Sequence, residues 1–168
     1  MSEKHYNASY LEDTAQVMQN LKKRSYSLLE TIKQGTIADL GCGIGKDVIA
    51  MAGLFGNEVS VIGVDHDQQM IQQARSAIDN KTNVSFLQSE VNILPFQDDF
   101  MSGLRAERLF QHLADPDPVF KEGYRVLKTG QPFVIVETDW SSISIYNADH
   151  HIEKKINDYL TKTKVVNG

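Results

Sequence analysis

The stretch Ile37-Ala38-Asp39-Leu40-Gly41-Cys42-Gly43-Ile44-Gly45 decides how this 168-residue chain folds. A short apolar run breaks into three glycines at alternate positions, and a helix-compatible segment, Lys46 to Leu54, follows at once. That order predicts a buried strand, a tight turn and a helix N-terminus. Glycine is needed where the backbone turns sharply or must lie against a ligand. The free N–H groups of a helix start face whatever sits there, which suits a nucleotide-like ligand.

A second apolar run, Val59-Ser60-Val61-Ile62-Gly63-Val64, ends in Asp65, 26 residues after Asp39. The separation is close to one βαβ unit of roughly 30 residues. A crossover helix sets consecutive strands side by side in the same direction. The glycine turn and Asp65 are therefore expected to meet at the carboxyl edge of a parallel sheet. A carboxylate there can accept hydrogen bonds from both hydroxyls of a ribose.

Outward from this centre, strand and helix patterns alternate. Asp13 to Lys33 carries Val17, Leu21, Leu28, Leu29 and Ile32 largely at helical spacing, and Gly35 stops it. Strands are expected at 36–41, 59–65, 83–88, 99–105 and 133–137, the fourth weakened by Gly103. Helices are expected at 45–54, after an Asp67 cap, at 118–128 behind Asp117 and Pro118, and at 148–164. Five alternations predict an α/β fold: a three-layer sandwich around a parallel sheet. The chain divides into an N-terminal segment and helix (1–35), a core (36–140) and a C-terminal helix with a tail (141–168).

The motifs resemble a family. Asp39-Leu40-Gly41-Cys42-Gly43-Ile44-Gly45 followed by Val61-Ile62-Gly63-Val64-Asp65-His66-Asp67 is similar to the first two motifs of the class I S-adenosylmethionine-dependent methyltransferases. Residues 85–91 with Ile93-Leu94-Pro95-Phe96 look like the third strand and adenine-side loop. Residues 104–113 look like the end of the fourth strand, and 124–133 like the passage into the fifth. The likeness covers about 36–140 and is nearest to the ubiquinone- and menaquinone-biosynthesis type. It implies a Rossmann-like sheet in the order 3-2-1-4-5, with ligand at the switch point between strands one and four. The rival fingerprint of dinucleotide oxidoreductases, G-x-G-x-x-G, would need a third glycine where Lys46 stands.

The resemblance further implies S-adenosyl-L-methionine as cofactor. Gly41, Gly43 and Gly45 let the backbone approach its methionine and ribose portions. Asp65 takes the ribose diol. Asp39 lies near the methionine ammonium, or braces the glycine turn through backbone N–H groups. His66 flanks the adenine, or is an exposed loop histidine. Glu90 accepts from the adenine amino group, or faces solvent, and Val91 offers a backbone N–H to the ring. Arg105, where strand four is expected to end, meets the methionine carboxylate or closes the pocket, or else pairs with Glu107 or Asp65. Glu137, Asp139 and Trp140 line the acceptor site, or once met a hairpin that family members carry after strand five. His112 is the single candidate base of the fourth-strand loop, or caps that turn.

No residue is singled out as catalytic. A sulfonium methyl is already activated, so transfer mainly needs alignment and exclusion of water. His150 and His151 lack a third ligand nearby, so no metal site is expected. The net charge of −5 gives no basic field for nucleic acid or anionic lipid, and a small molecule is the expected acceptor. Lys22, Lys23 and Arg24 read as a solvated helix face. The single cysteine, Cys42, forms no intramolecular disulfide, which fits a cytoplasmic setting. No apolar run approaches the ~20 residues of a membrane span. After Trp140 only a helix and tail remain, so the chain reads as lacking strands six and seven. The uncovered edge of strand five then invites self-association. A non-catalytic cofactor-binding or dimerising remnant is the alternative to a methyltransferase, ahead of a dinucleotide oxidoreductase.

Overall fold

The computed structural model describes residues 18–79, 82–140 and 149–163. In chain order they form α1 (Gln19–Ser27), β1 (Gly35–Leu40), α2 (Lys46–Phe55), β2 (Val59–Asp65), α3 (Gln68–Ser76) and β3 (Val84–Gln88). Then come β4 (Gly103–Glu107), a 3₁₀ turn (Phe110–His112), α4 (Asp117–Val126), β5 (Phe133–Val136) and α5 (His150–Thr163). The sheet runs β3-β2-β1-β4-β5, and every neighbouring pair is parallel. This is the order expected of a Rossmann-like fold.

Successive strand residues point to opposite faces, and both faces are covered. On one, Ile37, Val59, Val61 and Phe86 pack with Tyr26 and Leu29 of the N-terminal segment, Val48 and Met51 of α2, and Ile71 of α3. On the other, Ala38, Leu40, Leu104 and Ala106 pack with Val119 and Val126 of α4. Gly103, unfavourable in a strand by propensity, sits under this first layer for want of space. A Cβ there would lie 2.6 Å from Ile32 Cδ1 and 3.1 Å from Leu29 Cδ2.

Two elements differ from expectation. The first helix ends at Ser27, not near Lys33. Leu29 and Ile32 reach the core through tighter turns, with N–H groups bonded to the carbonyls three residues back, Tyr26 and Leu29. Its expected start at Asp13, and the loose segment 1–12, lie outside the described residues. The fourth strand is displaced toward the C-terminus. Asp99 N–H is held by Arg125 O, Met101 N–H by Val126 O, and Asp99 takes φ +53°, so the chain enters the sheet only at Gly103. Arg105 is therefore interior to β4, and Glu107 ends it.

The last helix is correctly placed, with Asp149 Oδ1 accepting from His151 N at 2.9 Å and Ile152 N at 3.3 Å. Yet none of its side chains is buried, and Ile152, Ile156 and Tyr159 stay exposed. Residues 141–148 and the 164–168 tail lie outside the described residues. No helix among the described residues is long and apolar enough to cross a membrane.

Candidate functional site

The glycine turn is laid against the end of β2. Gly41 N and Cys42 N both donate to Val64 O, at 2.8 and 3.0 Å. Gly43 N then donates to Asp65 Oδ2 at 2.8 Å, while Asp65 Oδ1 accepts from Asp67 N at 2.9 Å. The carboxylate is thus oriented by two backbone groups, one from the turn and one from the start of α3. An ionised carboxylate has about four acceptor positions, so the two backbone bonds do not exhaust it. Asp67 caps α3 as expected, accepting from Gln69 N and Met70 N.

Gly43 takes φ +52°, in the left-handed region, where a branched side chain is strongly disfavoured. Gly45 is also left-handed, and a Cβ there would lie 2.3 Å from the Phe86 ring and 2.9 Å from Ala74 Cβ. Packing of α2 and α3 on the sheet accounts for that glycine. Gly41 faces the loop after β4, where a Cβ would lie 3.0 Å from Leu109 Cδ1. Cys42 is buried, and burial pushes its thiol well above the usual range, so it is inert.

The loops after β2 and β3 are joined. Ser89 N donates to Asp65 O at 3.0 Å, and Gln88 Nε2 to His66 O at 3.2 Å. His66 is exposed, with Nδ1 3.4 Å from Asp65 Oδ1. Glu90 is exposed and Val91 buried. Asp65, His66, Glu90 and Val91 are thereby brought to one edge, beside the glycine turn.

Beneath that edge lies a cluster of charges. Arg105 has no exposed surface. Its Nη1 is 2.8 Å from Asp39 Oδ1 and 3.6 Å from Asp47 Oδ2, its Nε donates to Ser25 Oγ at 3.0 Å, and its Nη2 donates to Glu107. The guanidinium lies 5.1 Å from the centre of the Tyr26 ring. Lys22 Nζ bridges Asp47 at 2.5 Å and Glu107 at 2.9 Å, and Tyr26 OH donates to Asp47.

When all are ionised, Lys22, Arg105 and Arg108, whose Nε is 3.5 Å from Glu107 Oε1, face the three carboxylates Asp39, Asp47 and Glu107, so the cluster balances. Burial pushes the Asp39 carboxyl up to about 6, against the pull of Arg105. Burial also acts to raise Asp47, but Arg105 and Lys22 outweigh it and hold that carboxyl below its usual range. Of these two carboxyls Asp39 is the one that takes up a proton first as pH falls.

This cluster corrects two readings. Lys22 is 7 % exposed and bonded on both sides, not part of a solvated face; Lys23 and Arg24 are the exposed members of that run. Arg105 reaches no solvent. Of its alternatives, the pair with Glu107 is present and a pair with Asp65 is not, so it acts on the site only through Asp39 and Glu107. Tyr26 and Asp47 were missed, and Lys22 was misplaced, because each resembles a surface residue in the linear chain; Glu107 was foreseen only as a partner for Arg105. The one available signal was Lys22 and Tyr26 at i, i+4 on a helix leading into β1.

The loop after β4 is braced from β5. Arg108 turns it with φ +53°, and Glu137 Oε1 accepts from Phe110 N at 2.6 Å. Burial pushes the Glu137 carboxyl above its usual range despite that bond. Trp140 Nε1 donates to Gln111 Oε1 at 2.6 Å. An indole N–H can only donate, so the Gln111 amide nitrogen must face Arg108 O and His112 Nε2, each 3.3 Å away. His112 Nε2 thus meets a donor and acts as acceptor, leaving the proton of the neutral ring on Nδ1. Glu137 and Trp140 serve this loop.

The comparisons with known proteins agree with the geometry. The family described as "Methyltransferase domain" matches residues 37–130, more than half of the chain. The chain belongs to the class I S-adenosylmethionine-dependent methyltransferases. A relative of this methyltransferase is an uncharacterized 37.1 kDa protein in transposon TN4556 of Streptomyces fradiae, 32% identical over 95% of this chain and 47% of that protein. Another is the demethylmenaquinone methyltransferase of Lactobacillus johnsonii, 34% identical over 70% of this chain and 49% of that enzyme.

The phosphoethanolamine N-methyltransferase 2 of Haemonchus contortus, solved in complex with S-adenosyl-L-methionine, superposes with a TM-score of 0.72 at 20% identity. The match covers 89% of this chain and 33% of that one. At such identity the likeness is one of fold. The chain spans about half the length of the curated relatives it matches. Membership of this family makes S-adenosyl-L-methionine the ligand against which the site is tested.

Proposed function

We propose that this chain binds S-adenosyl-L-methionine at the carboxyl edge of β1, β2 and β3 and transfers its methyl group to a small molecule. The observation that carries the reading is the Asp65 carboxylate. Gly43 N–H and Asp67 N–H aim it, and each of its oxygens takes only one backbone bond, as acceptance from a ribose diol requires. The residues present fit the cofactor. The left-handed turn at Gly41 and Gly43 presents backbone rather than side chains. Glu90 supplies an acceptor for an amino group, Val91 a backbone N–H for the adenine ring, and exposed His66 a flank for it. Asp39, at the top of β1, accepts from the methionine ammonium. Gly45 and Arg105 act behind this surface, by packing and by holding Asp39.

When bound, the cofactor supplies a methyl group already activated for in-line displacement. What the chain must do is orient it, align the acceptor and exclude water. An oxygen acceptor also needs a base, whereas a carbon or nitrogen acceptor need not. Net charge −5 and the single buried cysteine support a small-molecule acceptor and a cytoplasmic setting.

A second reading, a cofactor-binding or self-associating remnant without catalysis, is supported by the outer edge of β5, which pairs with no strand among the described residues. One calorimetric titration with S-adenosylhomocysteine and NAD tests the cofactor. Binding of the first alone is expected, and binding of NAD instead would overturn the reading. A methyl-transfer assay on the complete gene product then separates enzyme from remnant.

A further inference from the structure

The turn that carries Glu90 and Val91 is fixed at both ends, and the second fixture lies outside the pocket. On the near side Ser89 N bonds Asp65 O, and Ser89 Oγ closes the turn onto Ile93 O at 3.1 Å. On the far side both polar backbone groups of Leu94 are taken by one pair of side chains on α4. Leu94 N donates to Glu122 Oε1 at 2.6 Å, and Leu94 O accepts from Arg125 Nη2 at 3.0 Å. Arg125 also bonds Phe96 O at 2.8 Å and Asp98 Oδ1 at 2.7 Å, and grips Glu122 through Nε and Nη2 at 2.9 and 2.6 Å.

A partly exposed ion pair ordinarily contributes little. This one spends its fork on backbone carbonyls of a single loop, with charge-assisted bonds that a lysine cannot reproduce. The hydrogen bond from Arg125 holds the Glu122 carboxyl below its usual range, so it remains an acceptor for Leu94 N–H. We propose that Glu122 and Arg125 are positioning residues that hold the Glu90–Val91 turn in register with Asp65 and so set the selectivity of the site for adenine.

The proposal rests on the cofactor reading above. Its chemistry is specific. Glu90 accepts from a 6-amino group, whereas a 6-oxo purine sets acceptor against acceptor. A group that must meet one edge of a base tolerates little displacement of its loop, so loosening the far anchor weakens this discrimination first.

The test uses the full chain, titrated with S-adenosylhomocysteine and with its inosine counterpart, alongside thermal unfolding. The wild type is expected to prefer the adenine ligand by about ten-fold or more, the worth of one charged hydrogen bond. Arg125→Lys is expected to lose about ten-fold in affinity for the adenine ligand, with the inosine ligand little changed and melting shifted by only a few degrees. Glu122→Gln is expected to fall between, and carries the comparison alone if Arg125→Lys does not fold. Unchanged preference in these variants overturns the proposal. Equal loss for both ligands, tracking a drop in melting temperature, overturns it in favour of a purely structural clamp. A wild type that binds both purines equally also overturns it. A wild type that binds neither ligand sinks the cofactor reading itself.

Discussion

Asp39 and Arg105 are register partners on neighbouring strands, and their side chains meet at 2.8 Å with the guanidinium wholly out of solvent. The pair sits where β1 and β4 separate toward their carboxyl ends, beneath the glycine turn. It joins the support of the candidate cofactor site to α1 through Ser25, Tyr26 and Lys22.

Removing one side of such a buried network leaves its charges uncompensated. Arg105→Met is expected to destabilise the fold by about 3–5 kcal/mol, because Asp39, Asp47 and Glu107 lose their shared cation. The double variant Asp39→Asn, Arg105→Met is expected to recover part of this. Urea unfolding of the three proteins measures both steps, and a single variant as stable as wild type would deny the cluster its role.

The cluster also predicts a pH dependence. The Asp39 carboxyl is raised in the folded state to about 6 from an ordinary 3.8. Folding therefore binds a proton between these values. The contribution is fully present below about pH 4 and is lost as pH rises through 6, at no more than about 1.4 kcal/mol per pH unit. Asp47 is lowered and works in the opposite sense, losing its contribution as pH falls below the usual carboxylate range. Asp39→Asn is expected to flatten the stability profile between pH 4 and 6. An unchanged slope in that window would show that Asp39 does not hold the proton.

Asp65→Ala is expected to weaken S-adenosylhomocysteine binding ten- to a hundred-fold, since a hydrogen bond to a charged group contributes roughly 1.5–3 kcal/mol. Calorimetry reads the loss directly. Equal affinity in the variant would remove Asp65 from the ribose role.

Gly43→Val is expected to abolish that binding while the protein still unfolds cooperatively. At φ +52° a β-branched residue is strained, and its methyl groups project from a turn meant to present backbone. Retained affinity would mean that the turn does not touch the cofactor.

Among the described residues β5 is paired only to β4, Ile135 is exposed, and α5 buries none of its side chains. An unpaired apolar edge recruits strands. Concentration-dependent dimerisation through this edge is expected at micromolar protein, and Ile135→Lys is expected to suppress it. Sedimentation of a clean wild-type monomer would argue against the edge as an interface.

Local chemistry by itself determined the centre of this protein. Three glycines after Asp39-Leu40 demand left-handed turns, and Asp65 one βαβ unit later must return to the same edge, because a parallel crossover leaves no other arrangement. Those constraints act over a few residues or one connection, so the pairing of β1 with β2 and the meeting of Asp65 with the glycine turn are readable in one dimension, while the full strand order was implied by the family resemblance. Only the tertiary structure decided what lies behind them. Lys22, Asp47 and Arg105 each look like ordinary surface charges, and their burial follows from α1 and α2 closing over β4. Glu122 and Arg125 look like a helix-surface pair, and their grip on Leu94 spans 28 residues of chain. Even the true start of β4 depended on α4 holding Asp99 and Met101. Charge pairing and strand entry depend on what packs above a residue and how far water is excluded. That is a property of the assembled layers, which no local pattern encodes.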